Sequence, residues 1–234
     1  MKKSLALIAS LTTFSSAFAG VTYQLTVTNG SAMPLSPAVV YSTKGSATDR
    51  AIGATTPEGL VKLCRLGDAP SRDAELAPMR NVLTHQTTEG LIMPGETRTI
   101  MVKVKNPMKE AIHFETMYGK SADVCGTISV SGAQLAHLAY HPGQQLEGRD
   151  TVLRTGAYLP PALPADTAGL CEDDNAVSCL RTLSAENTGV KYVQFFRPYL
   201  PRVLSFLDEK FGAVETDSLV IPTSGAISFT LRKH

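Results

Sequence analysis

Several short segments of the chain alternate apolar and polar residues, and this period of two predicts β-strands. The clearest is residues 21–28, in which Val21, Tyr23, Leu25 and Val27 alternate with polar residues before an Asn-Gly turn. In the segment 97–104 the apolar residues fall on one face, which is expected to be buried. Other predicted strands are residues 38–42, 111–118 and 126–130, with a closing hairpin formed by 219–221 and 226–231.

Helical spacing of apolar residues is found in two places. It predicts a short helix over residues 69–83 and a helical region at 190–211, which Pro198 and Pro201 interrupt. An apolar stripe follows Pro201 and ends before Gly212, a residue suited to a C-terminal cap; it consists of Val203, Leu204, Leu207 and Phe211. Residues 57–66 fit either a strand or a helix, and the Pro- and Gly-rich residues 140–168 are predicted to be loop.

Strands near both ends of the chain, with helix between them, favour one domain over two. The predicted fold class is all-β: an antiparallel β-sandwich spanning residues 20–234, with a helical insertion near 190–212 in its C-terminal half. The apolar stripe of the insertion is expected to pack on the sandwich; a membrane or a partner protein is the alternative surface for it.

The first 19 residues have the order of a secretory signal peptide. Lys2 and Lys3 precede an apolar run, and Ala-Phe-Ala at 17–19 predicts cleavage before Gly20. No later apolar stretch is predicted to span a bilayer, because the longest, near 192–207, contains two arginines and two prolines. The protein is therefore predicted to be secreted or periplasmic.

The 22 basic and 21 acidic residues give a net charge of +1, which argues against a nucleic-acid partner.

The four cysteines of an exported chain are expected to form two disulfides. Cys171 and Cys179 enclose a short polar loop, so we pair them with each other, which leaves Cys64 with Cys125. Three connectivities are compatible with the sequence, and this pairing is a hypothesis.

Three segments occur in a recognisable order: Tyr-Gln-Leu-Thr-Val-Thr-Asn at 23–29 followed by Leu-Ser-Pro at 35–37, Met117 six positions before Asp123, and Tyr-His-Pro-Gly-Gln-Gln at 140–145. Together they resemble the spondin N-terminal-type domain. The resemblance covers about residues 23–145. It implies a secreted β-sandwich with a non-catalytic adhesion or binding role, an unidentified protein or glycan ligand, and a calcium site to which Asp123 contributes.

The calcium site implied by the resemblance is expected to be weakened. His141 and Gln145 stand where the family tends to have acidic residues, and calcium prefers ionised carboxylates among its six to eight oxygen ligands. The alternative role of Asp123 is to cap a turn by accepting backbone N–H bonds.

Two other functions compete with a binding or adhesion module. One is a periplasmic hydrolase or lyase on a β scaffold, with a site among His85, Glu89, His113 and Glu115. More often, a pair such as His113 and Glu115 on one strand face is simply solvated. The other is an Ig-like periplasmic chaperone, suggested by the Pro-Gly turn at 94–95 before a strand; the sequence lacks a recognisable second Ig-like domain.

Overall fold

The computed structural model describes residues 20–45 and 50–234, and within them two antiparallel sheets form a sandwich. The predicted signal peptide lies outside the described residues. The strands are β1 (Val21–Asn29), β2 (Val39–Lys44), β3 (Val82–Thr87), β4 (Thr97–Val104), β5 (Glu110–Met117), β6 (Val124–Val130), β7 (Gln145–Arg149), β8 (Thr151–Arg154), β9 (Gln194–Phe195) and β10 (Ile227–Lys233). The helices are α1 (Glu58–Leu66), α2 (Ala69–Leu76), α3 (Gly132–Tyr140), α4 (Ala176–Thr182), α5 (Pro201–Phe211) and α6 (Ala213–Asp217).

The strand order is β4-β1-β10-β7 in one sheet and β3-β2-β5-β6-β8-β9 in the other. The alternation in β1 produces its burial, because Tyr23, Leu25 and Val27 point into the core and are fully buried. Leu25 lies between Ile100 of β4 and Leu231 of β10, which fixes the register of the smaller sheet. The predicted antiparallel β-sandwich is confirmed, and the first and last strands are neighbours.

Helices α1 and α2 cover the outer face of the six-stranded sheet. They enclose a second hydrophobic cluster, in which Leu60 and Leu63 of α1 meet Val39 and Tyr41 of β2. The disulfide Cys64–Cys125 joins α1 to β6, and Cys171–Cys179 closes the loop that leads into α4. Both are the pairings inferred from the sequence. Residues 57–66, whose pattern was ambiguous, are helical.

Three predictions of local structure were wrong. The helix expected over 69–83 ends at Leu76, and Leu83 belongs to β3, where the chain turns to pair with β2. The expected loop 140–168 contains β7 and β8, because β10 and β6 supply hydrogen-bonding partners that the sequence pattern does not show. Helix α3, which starts with a capping box at Ser131, was missed.

The C-terminal elements also differ from the expected ones. Only α5 and α6 of the region after residue 190 are helical, because Pro198 interrupts the backbone ladder and Pro201 begins α5. The predicted hairpin of 219–221 with 226–231 is wrong. β10 instead pairs with β1 and β7, and the Asp150 side chain between β7 and β8 accepts a hydrogen bond from Ile227 N at 2.9 Å.

The apolar stripe of α5 packs on the sandwich core. Val203 and Leu207 are fully buried there, and Leu204 and Phe211 pack against the same cluster. None of the described helices has the length and apolar character needed to cross a membrane.

Replacing Leu207 with alanine is expected to lower the free energy of unfolding by about 3 kcal/mol, since truncating a buried leucine leaves a cavity in the core. Urea denaturation measures this loss. Leu66→Ala is the matched control, because Leu66 is exposed and its truncation should change stability by no more than about 0.5 kcal/mol. Equal midpoints for the two variants would contradict the placement of α5 in the core.

Candidate functional site

A groove of about 720 Å³ lies at the β9 edge of the six-stranded sheet. Its wall is formed by the segment 192–200, and residues 52–53 and 160–161 complete it around Arg154 of β8. β9 is only two residues long, and Pro198 has no backbone N–H with which to extend the sheet. The chain leaves the edge of the sheet after Phe196, whose N–H donates to the Val152 carbonyl oxygen at 3.1 Å, and the groove opens at this edge.

The rim of the groove is apolar and exposed. Phe195 is 59% exposed, and Ile52, Tyr192 and Leu200 are each exposed over nearly half of their surface. Isolated exposed apolar residues are ordinary on protein surfaces, but a contiguous set around a concave surface is typical of a binding site.

Two polar side chains lie beneath this rim with unused hydrogen-bonding capacity. Arg154 is 6% exposed and Tyr199 is 8% exposed. Arg154 Nη2 donates to the Tyr158 carbonyl oxygen at 3.1 Å, whereas its Nε and the Tyr199 hydroxyl have no hydrogen-bond partner among the described residues. An unsatisfied buried polar group costs about 1 to 3 kcal/mol, so native proteins keep few of them.

The ring of Tyr199 is held in place by packing. It meets Phe196 edge to face, with 5.7 Å between ring centroids. Burial raises the pKa of Tyr199 to about 12, so the hydroxyl is protonated at neutral pH and is available as a donor.

The charge of the groove is positive. Arg154 and the exposed Arg197 line it, and none of its described lining residues is acidic. Arg154 has no salt bridge within 4.0 Å to a described carboxylate. Burial raises the pKa of Asp123, and the hydrogen bond from Thr155 and the positive charge of Arg154 oppose this rise.

Asp123, the residue predicted to bind calcium, is fully buried next to the groove. Its carboxylate accepts hydrogen bonds from Thr155 N at 3.2 Å, Ala157 N at 2.8 Å and Tyr158 N at 3.3 Å, and from the Thr155 hydroxyl. These bonds shape the turn that presents the Tyr158 carbonyl to Arg154. Asp123 thus has the turn-capping geometry that was the alternative to calcium binding, and it positions a residue of the groove.

The structure does not gather further calcium ligands around Asp123. His141 follows α3 and Gln145 begins β7 in the opposite sheet, whereas Asp123 precedes β6. Within residues 20–45 and 50–234 there is no cluster of three or more His, Cys, Asp or Glu side chains able to hold a metal ion. Calcium binding stays a prediction.

Glu115, one of the residues considered for catalysis, lies in a buried ionic network under α2. It is fully buried, and its carboxylate accepts from Arg72 Nε at 2.9 Å, Arg50 Nη1 at 3.2 Å and the Tyr41 hydroxyl at 2.7 Å. The two arginines hold the pKa of Glu115 at about 2, against the raising effect of burial. The expectation of a solvated strand face was wrong, because α1 and α2 cover this face of the sheet.

His113 lies in the same network. Its Nε2 is 2.8 Å from the Thr43 hydroxyl, and its Nδ1 contacts Arg50 Nη2 and, at 3.2 Å, the hydroxyl of the exposed Ser129. Burial and the adjacent Arg50 lower the pKa of His113 to about 3. An imidazole with so low a pKa is a poor general base for Ser129 at neutral pH.

The other two residues of the hydrolase hypothesis lie elsewhere. His85 Nδ1 is 2.9 Å from Asp73 Oδ1 of α2, and Glu89 is exposed in the β3–β4 loop. The structure therefore joins His113 and Glu115 through Arg50 but does not bring all four candidate residues to one site.

Sequence reasoning missed Arg154, Phe195 and Tyr199. Arg154 fell in a segment assigned to loop, and the other two fell in a segment assigned to helix. The available signal was the run Tyr-Val-Gln-Phe-Phe-Arg-Pro-Tyr at 192–199, where four aromatic rings and an arginine lie around a proline that breaks regular structure. No protein-family model matches the sequence, and neither does any curated protein.

Proposed function

We propose that this protein is an exported, non-catalytic binding module of the spondin type and that its ligand occupies the groove around Arg154. The observation that carries the proposal is the exposed apolar rim above two buried polar groups that have no hydrogen-bond partner among the described residues. A ligand would cover the exposed rim and accept hydrogen bonds from the two buried polar groups.

The disulfides support the exported location. Two disulfides in one chain are typical of an oxidising compartment. The disulfide Cys64–Cys125 also stabilises the structure next to the groove, because Cys125 pairs across the sheet with Leu153, the neighbour of Arg154. A binding site on a stabilised sheet edge needs little reorganisation when the ligand arrives.

The dimensions of the groove favour a small molecule over the protein or glycan ligand expected from the sequence. Sites for small molecules are typically about 300–1,000 Å³, and 720 Å³ falls within that range. The hydrolase alternative has no comparable support, since the low pKa of His113 disfavours a general base. The chaperone alternative has none either, since the Pro-Gly turn at 94–95 is a local turn that Glu96 N closes on the Met93 carbonyl oxygen at 2.9 Å.

Titration with the neutral fluorescent probe N-phenyl-1-naphthylamine tests whether the groove binds ligands. The chain has no tryptophan, so excitation of the probe meets little protein background. We expect saturable binding, weakened about fivefold to tenfold by Phe195→Ala, because the phenyl group supplies apolar area to the bound probe.

Tyr140→Ala is the control for this titration. Tyr140 is an exposed aromatic residue at the end of α3, outside the groove lining, and its loss should leave probe binding unchanged. Equal affinities for wild type and Phe195→Ala, or the absence of saturable binding, would refute the groove as the binding site.

A further inference from the structure

We propose that the ligand of the groove is a small aromatic carboxylate, whose carboxylate group is bound by the Arg154 guanidinium and the Tyr199 hydroxyl. This inference rests on the proposed function and adds the chemical class of the ligand. It follows from the hydrogen-bonding capacity, the charge and the shape of the groove.

The unpaired groups beneath the rim are both donors. Arginine has five N–H groups and no acceptor, and the described residues give Arg154 a single hydrogen-bond acceptor, the Tyr158 carbonyl. The Tyr199 hydroxyl is protonated and has no hydrogen-bond partner among the described residues. Each of the two groups has an N–H or O–H to donate to a ligand group rich in lone pairs, and a carboxylate accepts through both of its oxygens.

The charges select an anion over a neutral acceptor. Arg154 and Arg197 line the groove without an acidic neighbour in its described lining. Asp123 offsets part of the charge of Arg154 through space, but its oxygens are engaged by Thr155, Ala157 and Tyr158. An anionic ligand would complete the pairing of a cation that is already largely withdrawn from water.

The rim indicates an aromatic body for the ligand. Phe195 and Tyr192 offer exposed rings, and aromatic pairs attract beyond the effect of buried area alone. Arg154 Nε and the Tyr199 hydroxyl are buried in residues that line the groove, so binding requires a side-chain rotation at the rim, a movement common at binding sites.

Two isosteric probes separate the contribution of the carboxylate from that of the aromatic body. 1-Naphthaleneacetate and its neutral amide, 1-naphthaleneacetamide, share the same ring system, and each is titrated by displacement of N-phenyl-1-naphthylamine. We expect wild type to bind the carboxylate about tenfold or more tightly than the amide, the size of effect given by a charged hydrogen bond. Arg154→Met should abolish this preference.

Tyr199→Phe is the sharper variant, because it removes only the unpaired hydroxyl and keeps the ring packed on Phe196. It should fold with undiminished stability and reduce the carboxylate preference about threefold to tenfold. Tyr140→Phe is the matched control: Tyr140 is an exposed tyrosine outside the groove lining, and its variant should retain the preference.

The outcomes distinguish this inference from the proposed function. Equal affinity of wild type for the two naphthalene probes, with displacement intact, would overturn the carboxylate assignment and leave the groove a binding site. An undiminished preference in Tyr199→Phe would overturn the role of the hydroxyl. Failure of all three probes to bind would overturn the proposed function itself.

Discussion

Glu115→Gln is expected to lower the free energy of unfolding by about 4 kcal/mol, within the range for removing one member of a buried ion pair. The carboxylate is fully buried between Arg72 and Arg50, which are themselves almost completely withdrawn from water. The substitution keeps the shape of the side chain and removes its charge, so Arg50 loses this buried carboxylate, whereas Arg72 keeps its ion pair with Glu75.

Acid titration tests the same network. The pKa of Glu115 is about 2 in the folded protein, below the value of about 4.3 expected when unfolded. A depressed folded pKa stabilises the protein above the unfolded pKa, and this contribution is lost as the pH falls from about 4.3 towards 2. Glu115→Gln should therefore show a weaker decline in stability over that window.

Glu58→Gln is the control for both measurements. Glu58 forms an exposed ion pair with Lys62 one helical turn away, and such pairs contribute no more than about 0.5 kcal/mol. If Glu115→Gln matched this control in urea and followed the wild-type acid profile, the network would not stabilise the fold as described.

Removing the disulfide Cys64–Cys125 should cost about 4 kcal/mol, whereas removing Cys171–Cys179 should cost about 2.5 kcal/mol. The sequence separations are 61 and 8 residues, and in the chain-entropy model the longer loop restricts the unfolded chain more. The longer crosslink also holds α1 on the sheet above the buried network.

Urea denaturation of the two paired Cys→Ala variants, each without reductant, compares these effects. Each variant serves as the control for the other, because both lose two buried sulfur atoms and one crosslink. A larger loss from the short loop than from the long one would contradict the entropic account and indicate that native packing around Cys171–Cys179 dominates.

The sequence predicts the strands in which every second residue is buried. In β1 and β4 one face is buried, so apolar alternation marks both strands. In β5 every residue is buried, because the sandwich core covers one face and α1 and α2 cover the other. Polar residues such as His113 and Glu115 therefore look solvated in the sequence although they are paired inside the protein.

The groove was beyond sequence reasoning for a different reason. Its walls come from distant segments, and β9 exists only because β8 offers an edge to Phe195. Tertiary pairing of this kind leaves almost no local periodicity. The role of Asp123 could be anticipated in part, since capping a turn was the alternative to metal binding, but the connection through Tyr158 to Arg154 depends on the three-dimensional arrangement.

The position of β10 determines the order in which the molecule can assemble. β10 lies between β1 and β7, yet it comes about 200 residues after β1 and about 80 after β7. Until Ile227–Lys233 has left the ribosome, β7 has no partner in its sheet and β1 pairs only with β4. Long-range pairing of this kind is slow to form. The four-stranded sheet would thus stay incomplete until β10 has been synthesised.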